Sequence, residues 1–500
     1  MSVQENSLLA HKNALIKAEQ SIANIKNEVA QDPLRLKYHF MPPAYWVNDP
    51  NGFIQFKGEY HLFYQYNPYD AVWGPMHWGH AKSKDLVHWE HLPIALAPSE
   101  SYELDERGGC FSGSAVDDNG VLSLLYTGTV IKEGKLIQTQ CLATSHDGIN
   151  FVKYEGNPVI SNPPEEGSAD FRDPKVWRHN ELWYMVVGSS KDGKGKALLY
   201  RSPDLRNWDY ISVLAESDGT MGTMWECPDF FPLGDRYVLM FSPMGMGDRK
   251  TVYLVGGMDY ESGKFTWDVC GEVDHGFEYY APQSLLDDKG RRMIIAWLNA
   301  WDWMPWFKNF GPTYKNNWCG AMSGPRTVEL DEDGHLKFHP VEELKSLRGE
   351  HYHLGHTLIE NEIDLLPESI KGDCIEIKAE FKLKDCQAEE FGFKLRVSAN
   401  GNEETVLSYL LQTGELQFNR NQSDGWSEGI RKCELESRGQ DTLKLHIYVD
   451  TCVVEVFTDE GRTAMTNNLY PNPDSVNLTI FSKGDGVELV SLDIWQLHSA

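Results

Sequence analysis

The chain has 500 residues, with 74 acidic against 46 basic side chains and a formal net charge of -28. That length supports two or three domains, each with its own core. The acidity argues against nucleic acid or an anionic membrane surface as a partner, because phosphate-rich surfaces would repel it, and a neutral small molecule is the expected ligand.

The chain starts with a polar helical pattern from Ser7 to Gln31, in which Leu8, Leu15, Ile22, Ile25 and Val29 recur on one side. It lacks the basic start and apolar run of a signal peptide, and residues 1–32 are read as a helical extension that packs on the surface. No stretch reaches membrane-spanning length. Nine cysteines, without Cys-x-x-Cys or His-paired spacing, read as reduced thiols of a cytoplasmic protein, with no disulfide frame and no structural metal. No cofactor motif is present either.

Beyond Pro33 the pattern becomes all-β. Apolar strands at Tyr60 to Tyr66, Val121 to Thr127, Leu182 to Gly188, Tyr237 to Ser242 and Met293 to Trp297 recur about 55 to 62 residues apart. A second echo follows the first three: SKDLVHW from Ser83, SHDGINF from Ser145 and SPDLRNW from Ser202, with a weaker copy in MDYESGKFTW from Met258. A unit of short strands repeated five times predicts a five-bladed β-propeller over residues 33–345. The Ser-x-Asp echoes read as recurrent hairpin turns with a packed aromatic. From 346 to 500 alternating strands without tight repeats predict a β-sandwich, with strands at Cys374 to Lys384, Phe391 to Ser398, Leu443 to Phe457 and Val487 to Gln496.

In a propeller the first strand of each blade lines a central channel, so residues at the starts of these strands meet at one mouth. Those starts carry Asn48 and Asp49, then Phe111 and Ser112, then Arg172 and Asp173, then Glu226, and finally Tyr280. Three of the five place an acid beside a proline. In WVNDPNG, Pro50 biases Asp49 away from helix, and Asn51-Gly52 is expected to reverse the chain into the strand from Phe53. Two carboxylates across a sugar bond are the working unit of a glycosidase. Trp46, Trp73, Phe111, Tyr280 and Trp301 offer apolar faces for a sugar ring, and Asn48, Gln65, Ser112 and Arg172 offer directional hydrogen bonds. A sugar-binding propeller without catalysis is the alternative, although it has no reason to keep three acids in register.

The series WVNDPNG, YQYNP, FSGSA, FRDPKV, WECPDFF and YYAPQ resembles the motifs of glycoside hydrolase family 32, and VEVFTDEGRTAM is similar to that family's sandwich domain. The resemblance implies a retaining β-fructofuranosidase without a cofactor, in which Asp49 is the nucleophile, Glu226 the general acid and base, and Asp173 a transition-state stabiliser. It also implies fructosyl contacts from Asn48, Gln65, Trp73, Phe111, Ser112, Arg172, Tyr280 and Trp301. Within the family, sucrose, sucrose 6-phosphate and fructans are alternative substrates, and fructosyl transfer an alternative outcome. Crowding by Asp49 and Asp173 is expected to keep Glu226 protonated, and Arg172 to hold its neighbour Asp173 ionised. Two segments depart from the usual pattern, SGPR at Ser323 to Arg326 and the aromatic run from Ala300 to Phe307, and both are expected on the leaving-group side. Arg107, Arg249, Lys250, Lys308 and Lys315 are the cations available for a phosphorylated leaving group, while Trp301, Trp303 and Trp306 suit an uncharged glucosyl face.

Overall fold

Period-2 strands joined by turns of Gly, Asn and Asp form five sheets around one axis and two more stacked face to face. The computed structural model describes residues 3–308, 311–435 and 440–500. Blade one comprises Tyr45–Phe56, Glu59–Asn67, His77–Ser83 and Trp89–Leu96; blade two runs from Gly109–Asp118, blade three from Phe171–His179, blade four from Met224–Leu233 and blade five from Tyr280–Leu286, each outward through antiparallel neighbours. The five recurrent apolar runs are the second strands of the blades. The ring is stitched shut by a short segment: Trp318–Cys319 pairs in parallel with Tyr45 and Trp46 of blade one, and Ala321–Met322 pairs with the second strand of blade five.

The Ser-x-Asp echoes are turns between the third and fourth strands of the first three blades. Asp85, Asp147 and Asp204 each accept backbone N–H groups two and three residues ahead, and the serine hydroxyl bonds the same carboxylate. They are architecture, as their composition implied.

The helix Val3–Val29 is a packing arm. Ala18 and Ile22 sit in the blade-one core with Tyr38 and Phe40, and Glu19 accepts the backbone N–H of Ile94 at 2.7 Å. No helix among the described residues is long and apolar enough to cross a membrane.

The C-terminal sandwich has one sheet built on Ile375–Lys382, Thr442–Asp450, Val453–Thr458, Thr463–Asn468 and Val487–Leu497, and a second built on Ala388–Val397, Glu404–Leu410, Glu415–Gln422 and Asn477–Gly484. The expected strand from Leu443 to Phe457 is a hairpin, because Thr451 and Cys452 break it into two antiparallel partners.

Between propeller and sandwich lies a buried ionic cluster. Arg326 is fully buried, with Nη1 2.8 Å from Asp274 and Nη2 2.9 Å from Glu455, and His39 bridges Asp450 and Glu455 at 3.0 and 3.1 Å. The SGPR segment therefore belongs to the domain interface and not to a leaving-group pocket. Gly324 shows why a bulkier residue is unwelcome there: a Cβ would stand 2.7 Å from Glu455 Oε2.

Candidate active site

All five first strands carry a β-bulge at the same level: between Val47 and Pro50, Phe111 and Gly113, opposite Arg172 to Lys175, between Glu226 and Asp229, and between Tyr280 and Gln283. A bulge leaves one residue out of the ladder, bends the strand and turns the local side chains toward the funnel. Pro174, Pro228 and Pro282 sit inside three of these bulges, where the missing N–H costs no ladder bond, and Pro50 borders a fourth. The acid-proline pairs are thus bulge markers. Asn51-Gly52 does not reverse the chain. Both residues lie inside the continuous strand Tyr45–Phe56, where Gly52 has φ 51° and a Cβ would meet Phe63 at 2.8 Å. Asp173 (φ 67°) and Cys227 (φ 46°) also hold left-handed backbone, a cost that surrounding bonds must sustain.

The strands open onto a cavity of about 510 Å³ lined by Asn48, Asp49, Gln65, Trp73, Phe111, Ser112, Arg172, Asp173, Glu226 and Trp301, together with Arg107, Thr129, Leu136, Gln138, Asp170, Met244, Asp302 and Trp303. Ser112 Oγ donates to Asp49 Oδ2 at 2.6 Å and the Cys227 thiol approaches the same oxygen at 3.5 Å, while Oδ1 has no hydrogen-bond partner among the described residues. Burial pushes the Asp49 carboxyl up to about 6; the Ser112 bond opposes this and the nearby Glu226 adds to it. Asp173 Oδ2 accepts the Cys227 backbone N–H at 2.9 Å. Burial raises Asp173 to about 7, against the pull of Arg172 and with the repulsion of Glu226 and Asp49.

Arg172 is committed elsewhere than expected. Its Nε and Nη2 donate to Glu226 Oε1 at 3.2 and 3.0 Å and its Nη1 to Asp170 at 2.7 Å, whereas Asp173 stands 4.0 Å away. Successive residues of a strand diverge, and the bulge turns Asp173 inward while Arg172 runs sideways to blade four. The other Glu226 oxygen, Oε2, accepts the Tyr280 hydroxyl. Glu226 is thus the acid of the three that accepts from both a cation and a phenol.

Two aromatics expected against the sugar stand behind the wall. Trp46 is wholly buried, its backbone paired with Cys319 of the closing segment and its indole N–H given to Asn48 Oδ1 at 2.8 Å. Tyr280 is 1% exposed, edge-on to Trp297 with its hydroxyl spent on Glu226. Each orients a group that does line the cavity. Trp301 and Trp303 stack with centroids 5.2 Å apart on the cavity wall, whereas Trp306 lines a separate cleft next to the sandwich. Of the five candidate cations only Arg107 lines the cavity. Arg249 pairs with Glu272 at 2.9 Å, buried Lys250 caps the carbonyls of Asp274 and Gly276, Lys308 pairs with Glu428, and Lys315 lies in the turn Pro312–Asn316.

Sequence reasoning missed Asp170, Gln138 and Thr129. Asp170 and Gln138 steer Arg172, and Gln138 also accepts the Phe171 N–H at 2.9 Å. Asp170 was within reach, two residues before Arg172 and so able to share its face. Thr129 and Gln138 come from the second and third strands of blade two, outside every motif quoted above. Among the described residues no three His, Cys, Asp or Glu side chains are grouped to hold a metal.

Paired acids at the mouth of a propeller funnel, one gripped by an arginine and one left with a free oxygen beside stacked tryptophans, define a glycoside hydrolase. Residues 39–340 match the N-terminal domain of glycosyl hydrolases family 32 and residues 343–496 match its C-terminal domain. The chain belongs to that family. It is 40% identical over 484 residues to a sucrose-6-phosphate hydrolase of Escherichia coli, covering 92% of this chain and 94% of that one, and 39% identical over 475 residues to an Escherichia coli raffinose invertase with the same coverage. A solved β-fructofuranosidase of this family from Bombyx mori has a TM-score of 0.84 at 35% identity, covering 98% of this chain and 99% of that chain.

Proposed function

We propose that the protein cleaves the terminal β-fructofuranosyl bond of sucrose and short fructo-oligosaccharides with retention of configuration, through a covalent fructosyl-enzyme. The observation that carries this reading is Asp49. One of its carboxylate oxygens is held by Ser112, while the other has no partner and is free to attack the anomeric carbon.

In the first step the bond from Asp49 to the anomeric carbon forms as the bond to the glycosidic oxygen breaks, and Glu226 gives its proton to that oxygen. In the second, Glu226 takes a proton from water, whose oxygen attacks the anomeric carbon from the face the leaving group vacated, opposite Asp49, and so frees the Asp49 carboxylate with net retention. Asp173 accepts hydrogen bonds from fructosyl hydroxyls, which strengthen as positive charge builds on the ring. Trapping the intermediate tests the scheme. Glu226→Gln, supplied with a fructoside of an acidic phenol, should carry a fructosyl group on the peptide containing Asp49, and the product first released by the unaltered enzyme should be β-fructofuranose by NMR. Release of the α anomer would overturn it.

The stacked Trp301 and Trp303 support an uncharged glucosyl leaving group. A second reading, sucrose 6-phosphate, is favoured by Arg107, an exposed cation on the cavity wall whose guanidinium makes no ion pair recorded among the described residues. The ratio of kcat/KM for the two sugars decides between them: a tenfold preference for the ester, about 1.4 kcal/mol, establishes the second. The nine free cysteines, most of them buried, support a reducing cytoplasmic setting.

A further inference from the structure

Among the described residues the sandwich domain contributes none to the cavity, yet its buried charges reach to within one residue of the group that holds Glu226. The Tyr279 to Ala281 backbone is unusual: Tyr279 has φ 136° and Ala281 φ 52°, both in regions that L side chains avoid, on either side of Tyr280. Such backbone persists only where its surroundings over-determine it. From the blade-four side, Thr251 Oγ1 donates to the Tyr279 carbonyl at 2.9 Å and Ser242 Oγ accepts the Ala281 N–H at 2.9 Å. From the opposite side comes Arg326, whose guanidinium carbon lies 4.1 Å over the Tyr279 ring and 4.8 Å over Phe457 of the sandwich. Glu455 of the sandwich, with Asp274, fixes that guanidinium in its plane, and Thr466 adds a further bond.

We propose that Arg326 is a positioning residue for Glu226: clamped by the sandwich and stacked on Tyr279, it fixes the backbone from which the Tyr280 hydroxyl holds the Glu226 carboxyl. The inference rests on the reading of Glu226 as the acid. It gives the second domain a part in the chemistry, since without Glu455 and Phe457 the guanidinium loses its orientation. A hydroxyl displaced by a fraction of an ångström would let Glu226 turn toward Arg172, its other partner, and away from the glycosidic oxygen.

The test compares two substrates by kcat/KM, which isolates the first, proton-requiring step. Arg326→Lys keeps the charge but loses the flat fork and its stacking. On sucrose it should lose about tenfold in kcat/KM, and on a fructoside with a nitrophenolate leaving group, which needs no proton, less than about twofold. His39→Gln loosens the same interface without touching the Tyr279 ring and serves as the control, with melting temperatures recorded for both. In a cycle with Tyr280→Phe, the double variant should lose no more on sucrose than Tyr280→Phe alone. Equal losses of Arg326→Lys on both substrates, losses that track melting temperature across both interface variants, or additive effects in the cycle would each overturn the proposal. Glu226→Gln in the same assay separates the two readings. If it shows leaving-group dependence and Arg326→Lys does not, the positioning role fails alone; if Glu226→Gln shows none, the assignment of the acid fails first.

Discussion

Two groups of buried carboxylates lie in this molecule, and they meet opposite fates. At the domain interface Asp450 is fully buried yet accepts the backbone N–H groups of Lys37, Tyr38, His39 and Thr451 as well as the His39 ring. Burial alone would raise it, but these bonds hold it below the usual carboxylate range. Burial likewise opposes the bonds that lift His39, which Asp450 and Glu455 together carry up to about 9. In the funnel, Asp49 and Asp173 are buried too, at 8% and 5% exposure against 0% for Asp450, but have fewer donors, so burial wins and they rise to about 6 and about 7. Burial is common to both. What differs is satisfaction: the interface completes its hydrogen bonds and gains a fixed domain contact, whereas the funnel leaves them incomplete for a substrate to complete.

Asp49→Asn is the sharpest way to break this contrast. It should cost at least about 10,000-fold in kcat on sucrose, as expected for loss of a nucleophile. The same variant should be more stable than the parent at pH 8, by about 1 to 3 kcal/mol in denaturant titration, because it removes an under-satisfied buried charge. A variant that is inactive and also less stable would show that Asp49 is as well satisfied as Asp450.

At the interface the same change should act in reverse. Asp450→Asn leaves His39 with Glu455 as its remaining carboxylate partner and turns one acceptor oxygen into a donor facing backbone N–H groups, so a loss of about 3 to 5 kcal/mol is expected. Glu226→Gln falls next, with a loss on sucrose on the order of 100- to 10,000-fold and recovery on an activated fructoside.

The pH dependence has two opposite signs to check. His39 is raised, so its contribution to stability is complete below its unfolded value of 6.5 and is lost as pH rises through about 9. Stability should therefore fall between pH 7.5 and pH 10 in the parent and less so in His39→Gln. The raised aspartates also bind protons more tightly when folded, so their share of stability is lost as pH rises from about 4 through about 7. Activity runs the other way: Asp49 must be ionised to attack, so kcat/KM should fall tenfold per pH unit below about 6. A flat profile down to pH 4.5 would place the Asp49 carboxyl near its ordinary value.

The smallest expected effect concerns the rim. Arg107→Gln should change kcat/KM for sucrose by less than about twofold and lower it for sucrose 6-phosphate by about tenfold, a charge-assisted bond's worth.

Five blades, a sandwich and three acids at strand starts were legible from residue order, because repetition and period-2 alternation are local properties that survive without coordinates. The proline beside each acid was legible as well, but its meaning was not, since Asp49-Pro50-Asn51-Gly52 has the composition of a turn and only the ladder on both sides of it shows a bulge within one strand. Partnership was not legible at all. Arg172 is adjacent to Asp173 in the chain but bonds Glu226, 54 residues on, and Arg326 is bound by residues 52 and 129 positions away. Which tryptophan meets the cavity was equally hidden, for Trp46 is wholly buried against Trp297 and Trp301 while Trp301 itself lines the cavity. Residue types and their spacing carry the chemistry and the blade count. Burial and charge pairing depend on which distant segments the ring closure brings together, and so they were decided by the tertiary structure.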